Sequence, residues 1–446
     1  MLVVTENGTR DKYYELEIID EKGKRISTRT IKYQTASVTI DGQIYMYIYD
    51  DLMTPIRDSF QFINYEISSN SSNTKAMAMY ALKFLYSFES IIGLSLKDFS
   101  ATDIRALRDY LLGFTRTGNE LVFKGLTTRK PETVNMYLGI YRQYLKFKGE
   151  NNAALSSKKF IKPYGTLAID KKDKTSPYKS NVYVQQKQEV PKYISVDEFK
   201  KLIEIVRSHK SIRDECIIRL MYETGMRLGE VLGQTNEDIR IIQHNNGYSN
   251  AVFIRNRISD KKYQLAKTVI NPTSYNDYHT KSYNTENSGY QVVYITDSLY
   301  ELLGEYIDLA HENARALYKE RYFNSTIADS IYNQNDENFY VFINKYGSRL
   351  SNVSWNRHLR ELFTEAGIPV DTKSKENNLS HRFRHGFAMF QVEYMHKDIL
   401  ELSHMMRHNS PTSSMKYFRP TISDQIQMKT QFVKELYDIV PELKDI

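Results

Sequence analysis

The sequence predicts a mainly α protein with small β-sheets, and three observations predict it. Apolar residues recur at helical spacing through most of residues 70–150 and in several runs from residue 195 onward. The first 65 residues instead alternate, with turn signals between short runs. At 446 residues the chain is long enough for two or three domains with cores of their own. The expected division is a β-rich N-terminal domain over 1–65, a helical domain over 70–150, a basic linker over 151–190 and a C-terminal domain over 191–446.

Within the first part, Tyr13 to Ile19 alternates, Glu21-Lys22-Gly23-Lys24 signals a turn, and Arg25 to Tyr33 returns as a strand. A second pair is expected around Asp41-Gly42, with Ala36 to Ile40 before it and Gln43 to Tyr49 after it. Thr74 to Ile92 is the first helix, on Met77, Tyr80, Ala81, Phe84, Leu85 and Phe88. Ser100 to Asp103 opens a second, and Glu132 to Lys148 is a third, flanked by Arg129, Lys130, Arg142, Lys146 and Lys148. The linker carries Lys158-Lys159 and Lys171-Lys172-Asp173-Lys174 with little periodicity, the pattern of a solvated tether.

In the C-terminal part, Ser195-Val196-Asp197-Glu198 is a capping box before Phe199 and Leu202. The apolar helix Cys216 to Glu223 runs into Thr224-Gly225-Met226-Arg227-Leu228-Gly229-Glu230. Gly225 permits a tight turn there, so that Arg227 stands at the start of the next helix. Strands are expected at 251–257 and 290–296, separated by a long polar insert. A helix over 297–318, the apolar run Phe339 to Ile343, and a helix from Ser351 to Ala366 follow. A last helix is expected from Ser423 to Asp438.

The net charge of +7 fits a polyanionic partner. A single cysteine, Cys216, excludes a disulfide framework and a cysteine-based zinc site. No apolar run reaches the length of a membrane span, and the N-terminus lacks the charged start and long apolar core of a signal peptide, so a cytoplasmic protein is expected.

The chemistry concentrates in Ser380 to Pro420. His381 and Arg384 stand three apart, on one face of a helix. His408 follows in Met406-Arg407-His408, and Tyr417 comes nine residues later. Arginine grips phosphate oxygens through paired N–H donors, histidine holds or passes a proton near neutral pH, and a phenol oxygen can be a nucleophile. Together they point to phosphoryl transfer without a metal. Taken singly, each residue is more often a solvated or salt-bridged surface group, and with 35 tyrosines it is spacing that singles out Tyr417.

This segment resembles the tyrosine recombinase (integrase) family, whose pattern is roughly H-x-L-R-H-T-F-A, then L-G-H, then a tyrosine nine residues on. Phe383 stands for the usual leucine and Arg407 for the usual glycine. Residues 224–230 resemble the family's first box, T-G-x-R-x-x-E, and Asp238 fits its later acidic residue. The resemblance implies a helical core-binding domain over 70–150 and a tyrosine recombinase catalytic domain over 191–446. It also leaves open an arm-type DNA-binding role for 1–65. It implies a site-specific recombinase or integrase that needs no cofactor and acts on double-stranded DNA as a homo-tetramer, with accessory DNA-bending proteins. Tyr417 would attack the scissile phosphate, Arg227 and Arg384 would hold its oxygens, and His381 would assist proton removal as base or hydrogen-bonding partner. His408 would bond the phosphate, and a lysine of the insert would protonate the leaving 5′ oxygen. Lys281, in Thr280-Lys281-Ser282, is favoured for that part and Lys267 is the rival. The C-terminal helix would dock at home or on a neighbouring protomer. A type IB topoisomerase-like enzyme or telomere resolvase, and a DNA-binding regulator without activity, are the alternatives.

Overall fold

The computed structural model describes the chain except residues 9–11, 21, 41–42, 68–71, 116–120, 159–177, 185–189, 246, 323–339, 346, 371–378, 420–428, 431–433 and 435–446. It divides into two compact units, Met1–Gln186 and Lys187–Ile446. The expected helix from Ser423 to Asp438 lies, apart from Lys429, Thr430 and Lys434, outside the described residues.

In the first unit, strands β1 (Leu2–Asn7), β2 (Tyr13–Ile19) and β3 (Arg25–Ile31) pair antiparallel in sequence order. A hairpin of β4 (Gln34–Ile40) and β5 (Gln43–Tyr49) follows. A short helix α1 (Arg57–Gln61) leads into a π-turn over Phe62–Glu66. Helices α2 (Ser72–Ile92), α3 (Ala101–Leu112), α4 (Pro131–Phe147) and α5 (Ala153–Ser156) follow, with strand β6 (Leu121–Lys124) between α3 and α4. The sequence places a boundary between residues 65 and 70, but β6 pairs parallel with β1 and carries the N-terminal sheet into the helical part. Val4, Tyr14 and Leu16 of the sheet share one core with Phe88, Leu107, Tyr110 and Tyr141 of the helices. The buried Glu6 carboxylate fixes the junction by accepting from the Tyr14 hydroxyl at 3.1 Å and the Thr127 backbone N–H at 2.6 Å. Ser100 and Asp103 form the expected capping box of α3.

The second unit opens with α6 (Val196–Ser208), whose Ser195–Glu198 capping box is the expected one, and α7 (Ile212–Thr224). Gly225 ends α7 at φ +65, and α8 (Leu228–Leu232) starts three residues later. An antiparallel meander β7 (Ile239–His244), β8 (Gly247–Arg255) and β9 (Tyr290–Tyr294) follows. Asp238 is structural, accepting from the Thr235 N–H at 3.1 Å and from the Arg257 guanidinium at 2.6 Å. The helices α9 (Asp297–Tyr322), α10 (Asn352–Glu365), α11 (Leu379–Glu393) and α12 (Ile399–Met405) complete it. The described part of the apolar run before α10 makes isolated bridges, Thr235 with Tyr340 and Ile343 with Arg349, and no strand.

Helix α11 is buried on nearly every side. Phe383 enters the main core beside Trp355, Leu359 and Phe363. Phe387, Ala388 and Met389 form a second, smaller cluster with Leu402, Met406 and Tyr417. The main chain before α6 comes so close to α11 that a Cβ on Gly386 would sit 2.5 Å from the Ile194 carbonyl oxygen and 2.6 Å from the Tyr222 ring. Gly386→Ala should therefore destabilise the second unit by about 1–3 kcal/mol through overpacking. Gly139 of α4, by contrast, has nothing within 4 Å of a built Cβ. Gly139→Ala should add roughly 0.5–1 kcal/mol to the first unit through helix propensity. Thermal melts of the two variants should move in opposite directions, and a neutral Gly386→Ala would show that the close approach relaxes freely.

Candidate active site

Two segments far apart in sequence meet at the turn between α7 and α8. Arg227, at the N-terminus of α8, donates its backbone N–H to Glu230 at 2.9 Å and its guanidinium to the other carboxylate oxygen at 2.6 Å. Arg384 projects from α11 and donates to the carbonyls of Gly225 and Met406, tying the α7–α8 turn to the end of α12. Arg407 then donates to Glu230 at 3.0 Å and to the carbonyls of Thr224 and Gly225, each at 3.3 Å. Burial would raise the Glu230 carboxyl, but Arg407, Arg227 and Arg384 together hold it down at about 2. It is therefore ionised, one carboxylate among three guanidiniums. Burial and the neighbouring arginines pull Arg384 down to about 9 despite the opposing pull of Glu230.

The histidines and Tyr417 complete the cluster. His408 pairs through Nδ1 with the buried Ser414 hydroxyl at 2.8 Å, and the Tyr417 N–H donates to the Ser414 carbonyl at 3.0 Å. Ser414 thus couples His408 to the 3₁₀ turn Met415–Phe418, which gives the nine-residue spacing a physical basis. Tyr417 is 1% exposed, and its hydroxyl lies 2.8 Å from Nδ1 of His385. Burial raises the phenol to about 12, although Arg384 and Arg227 oppose the shift. Burial, then His381, Lys416, Arg384 and His408, push His385 down to about 2. The proton of that pair therefore stays on the phenol. His381 does not bond the tyrosine; its ring stands edge-on to His385 with centroids 4.7 Å apart. Burial, with Arg384 foremost among the neighbouring cations, pushes both His381 and His408 down to about 4.

Five of the six residues singled out from the sequence, Arg227, His381, Arg384, His408 and Tyr417, are brought together. Lys281 is not. It is exposed on an excursion closed by the hydrogen bond from the Ile270 N–H to the Ser288 carbonyl, 2.8 Å. Lys267 is also exposed, but it directly follows the run packed on α8, where the Gln264 side chain donates to the Leu232 carbonyl at 2.8 Å. The next residue, Thr268, donates to Gln291 of β9 at 2.9 Å. Lys267 therefore stands at the hairpin proper, and Lys281 stands on a loop added to it.

Three further residues belong to the cluster. His385 lies within the H-R-F-R-H motif and Arg407 within M-R-H, so the motif itself could have pointed to both. Lys416 precedes Tyr417 and lies with Nζ 4.9 Å from the centre of its ring. Burial, then Arg384, Arg419 and Arg227, lower its pKa. Among the described residues no group of three His, Cys, Asp or Glu side chains is placed to hold a metal ion, and no helix is long and apolar enough to cross a membrane. A compact set of arginines around a buried phenol is suited to holding a phosphate oxyanion beside an oxygen nucleophile.

Comparison with known proteins places the second unit in a family. Residues 192–423 match the Phage integrase family. A stretch of 53 residues is 42% identical to Tyrosine recombinase XerC of Psychromonas ingrahamii, covering 12% of this chain and only 18% of that protein. The fold is similar to the Tn1549 transposon integrase in complex with transposon right end DNA, at 12% identity and TM-score 0.47, over 85% of this chain and 100% of that one. It is also similar to the XerH site-specific recombinase in a post-cleavage complex with palindromic difH substrate, at 15% identity and TM-score 0.46, over 81% and 90% of the two chains.

The depressed histidines make stability depend on pH. A histidine that titrates lower folded than unfolded binds its proton more readily in the unfolded chain, so acid favours unfolding. His381 and His408 should contribute their full stabilisation above about 6.5, lose it as the pH falls toward about 4, and be followed by His385 down to about 2. Asp260, pushed up to about 6 by burial, works in the opposite sense. Melting temperatures should nevertheless fall on acidification below 6.5. A His381→Gln, His408→Gln double variant should lose less on acidification than the parent, and equal losses would place the acid sensitivity elsewhere.

Proposed function

Because the chain belongs to the phage integrase family, we propose that it is a site-specific DNA recombinase that integrates or excises a mobile element through a 3′-phosphotyrosyl intermediate. The observation that carries this reading is the convergence of the 224–230 and 381–417 segments, which gathers Arg227, Arg384, His381, His408 and Tyr417 around the Glu230 carboxylate. The Tyr417 oxygen attacks the scissile phosphorus as its proton passes to a neighbouring base. A P–O bond forms to the 3′ phosphate, and the bond to the 5′ oxygen breaks. The departing oxygen takes a proton from a general acid. The phosphotyrosyl ester conserves the energy of the broken bond, so a 5′ hydroxyl of the partner duplex can reverse the step and rejoin the strands.

Arg227 and Arg384 offset the charge that builds on the non-bridging oxygens, a contribution of several kcal/mol in comparable sites. His408, with Nδ1 on Ser414, keeps Nε2 for the phosphate. His385 accepts a hydrogen bond from the phenol in the resting arrangement and, with His381 beside it, would receive its proton once phosphate binding changes the local charge. Strand exchange between two duplexes requires four such sites, hence a homo-tetramer on DNA. Tyr417→Phe removes one oxygen, so it should fold and bind DNA yet form no covalent adduct with a nicked suicide duplex. An adduct mapped to another tyrosine would overturn the assignment. Relaxed supercoils without exchanged strands would move the chain to the type IB topoisomerases.

For the general acid, the packing of 263–266 on α8 favours Lys267 over Lys281. Loss of such an acid costs about 10²–10⁴-fold in rate. A 5′-bridging sulfur departs without protonation, so it should restore cleavage to Lys267→Ala, whereas Lys281→Ala should cleave the natural ester nearly as the parent does. The reverse pattern returns the role to Lys281, and rescue of neither points to Lys416 beside the tyrosine.

A further inference from the structure

Arg407 occupies the position where the family pattern has glycine, and its backbone explains why glycine suits that position. Its φ is +51, in the left-handed region that side-chain-bearing residues rarely adopt. A glycine would hold this turn without strain, so the arginine must return something for the strain it brings. Its side chain is 9% exposed and reaches the acceptors that organise the site. It shares Glu230 with Arg227 and the Gly225 carbonyl with Arg384. The residue before it, Met406, offers its carbonyl to Arg384, so the two arginines are interlocked on both sides of the turn. Among the described residues, the buried Nε–H of Arg407 has no partner. Buried N–H donors in folded proteins are nearly always paired, and a catalytic role or a bound ion is among the physical explanations for an orphan, here one amid a cluster of cations. The charge balance points the same way, since a single carboxylate faces three guanidiniums and Lys416 stands close by.

We propose that Arg407 is a third phosphate-binding arginine of this site, replacing the glycine of the family pattern and giving its buried Nε–H to a non-bridging oxygen of the scissile phosphate. This rests on the recombinase reading above. The test compares the full-length parent, Arg407→Gly and Arg407→Lys on nicked suicide duplexes carrying the end sequence of the chain's own element. Each duplex is made with the natural phosphodiester or with a methylphosphonate at the scissile position, which replaces one charged non-bridging oxygen by a methyl group.

On the phosphodiester, Arg407→Gly should slow cleavage by about 10²–10³-fold, the typical loss on removing one oxyanion donor. On the neutral methylphosphonate the variant and the parent should cleave at similar rates, because there is no charge left to offset. Arg407→Lys should fall between them on the phosphodiester. Unchanged cleavage of the phosphodiester by Arg407→Gly would overturn the proposal. An equal loss on both substrates would also overturn it, since that is what a purely structural role gives. Should Arg407→Gly fail to melt cooperatively, Arg407→Lys carries the same comparison, because it keeps the strain and the charge but lacks the Nε–H. A parent that forms no adduct would remove the recombinase reading and this proposal together. A parent that forms one while Arg407 is indifferent would remove this proposal alone.

Discussion

The second unit depends on one buried carboxylate. Glu230 has no exposed side-chain surface and accepts from the side chains of Arg227 and Arg407. An ionised carboxylate in such a place is costly unless it is paired, and losing one partner of a buried pair typically costs about 3–5 kcal/mol. In return it holds α8 against the end of α12 across 177 residues of sequence. It also allows three guanidiniums to share a small volume without a bound anion. Cations held in position in this way would need little reorganisation to meet an oxyanion, which is what the proposed reaction requires.

The tyrosine is organised by a different force. Tyr417 belongs to an apolar cluster with Phe387, Ala388, Met389, Leu402 and Met406. That cluster buries the ring and raises the phenol, while Arg384 and Arg227 pull it the other way. The resting arrangement thus keeps Tyr417 protonated, against a histidine too depressed to take the proton. Ser414 sets where the ring sits, because it bonds His408 with its side chain and Tyr417 with its carbonyl.

The first unit shows how a sheet becomes part of a helical body. β1 pairs on one edge with its sequence neighbour β2 and on the other with β6, more than 110 residues away. The buried Glu6 then satisfies donors from Tyr14, Lys12 and Thr127 at that junction. The 1–65 segment therefore has no separate core, and the sheet covers apolar faces of the helices that would otherwise meet water.

Much of this was legible in the sequence because it is local. Capping boxes at Ser100 and Ser195, the glycine at 225 and the apolar spacing of α2, α4 and α6 act within a few residues, and each predicted element appears close to its expected place. The motif residues Arg227, His381, Arg384, His408 and Tyr417 could be named for the same reason, since their spacing reflects one helix or one turn each. What tertiary structure decided is what depends on distant segments. The parallel β1–β6 pairing has no local signal, because β6 is four residues long. Which nitrogen meets the phenol was settled by the packing of the 415–418 turn on α11, which brings it to His385 and not His381. The turn-like Thr280-Lys281-Ser282 favoured Lys281 in sequence, whereas the contacts of Gln264 with Leu232 and of Thr268 with Gln291, and the Ile270–Ser288 hydrogen bond, set Lys267 at the hairpin and Lys281 on the loop beyond it. Arg407 read as a departure from a glycine pattern, and three-dimensional contact alone made it a partner of Glu230, because a guanidinium's role is set by the acceptors within its reach.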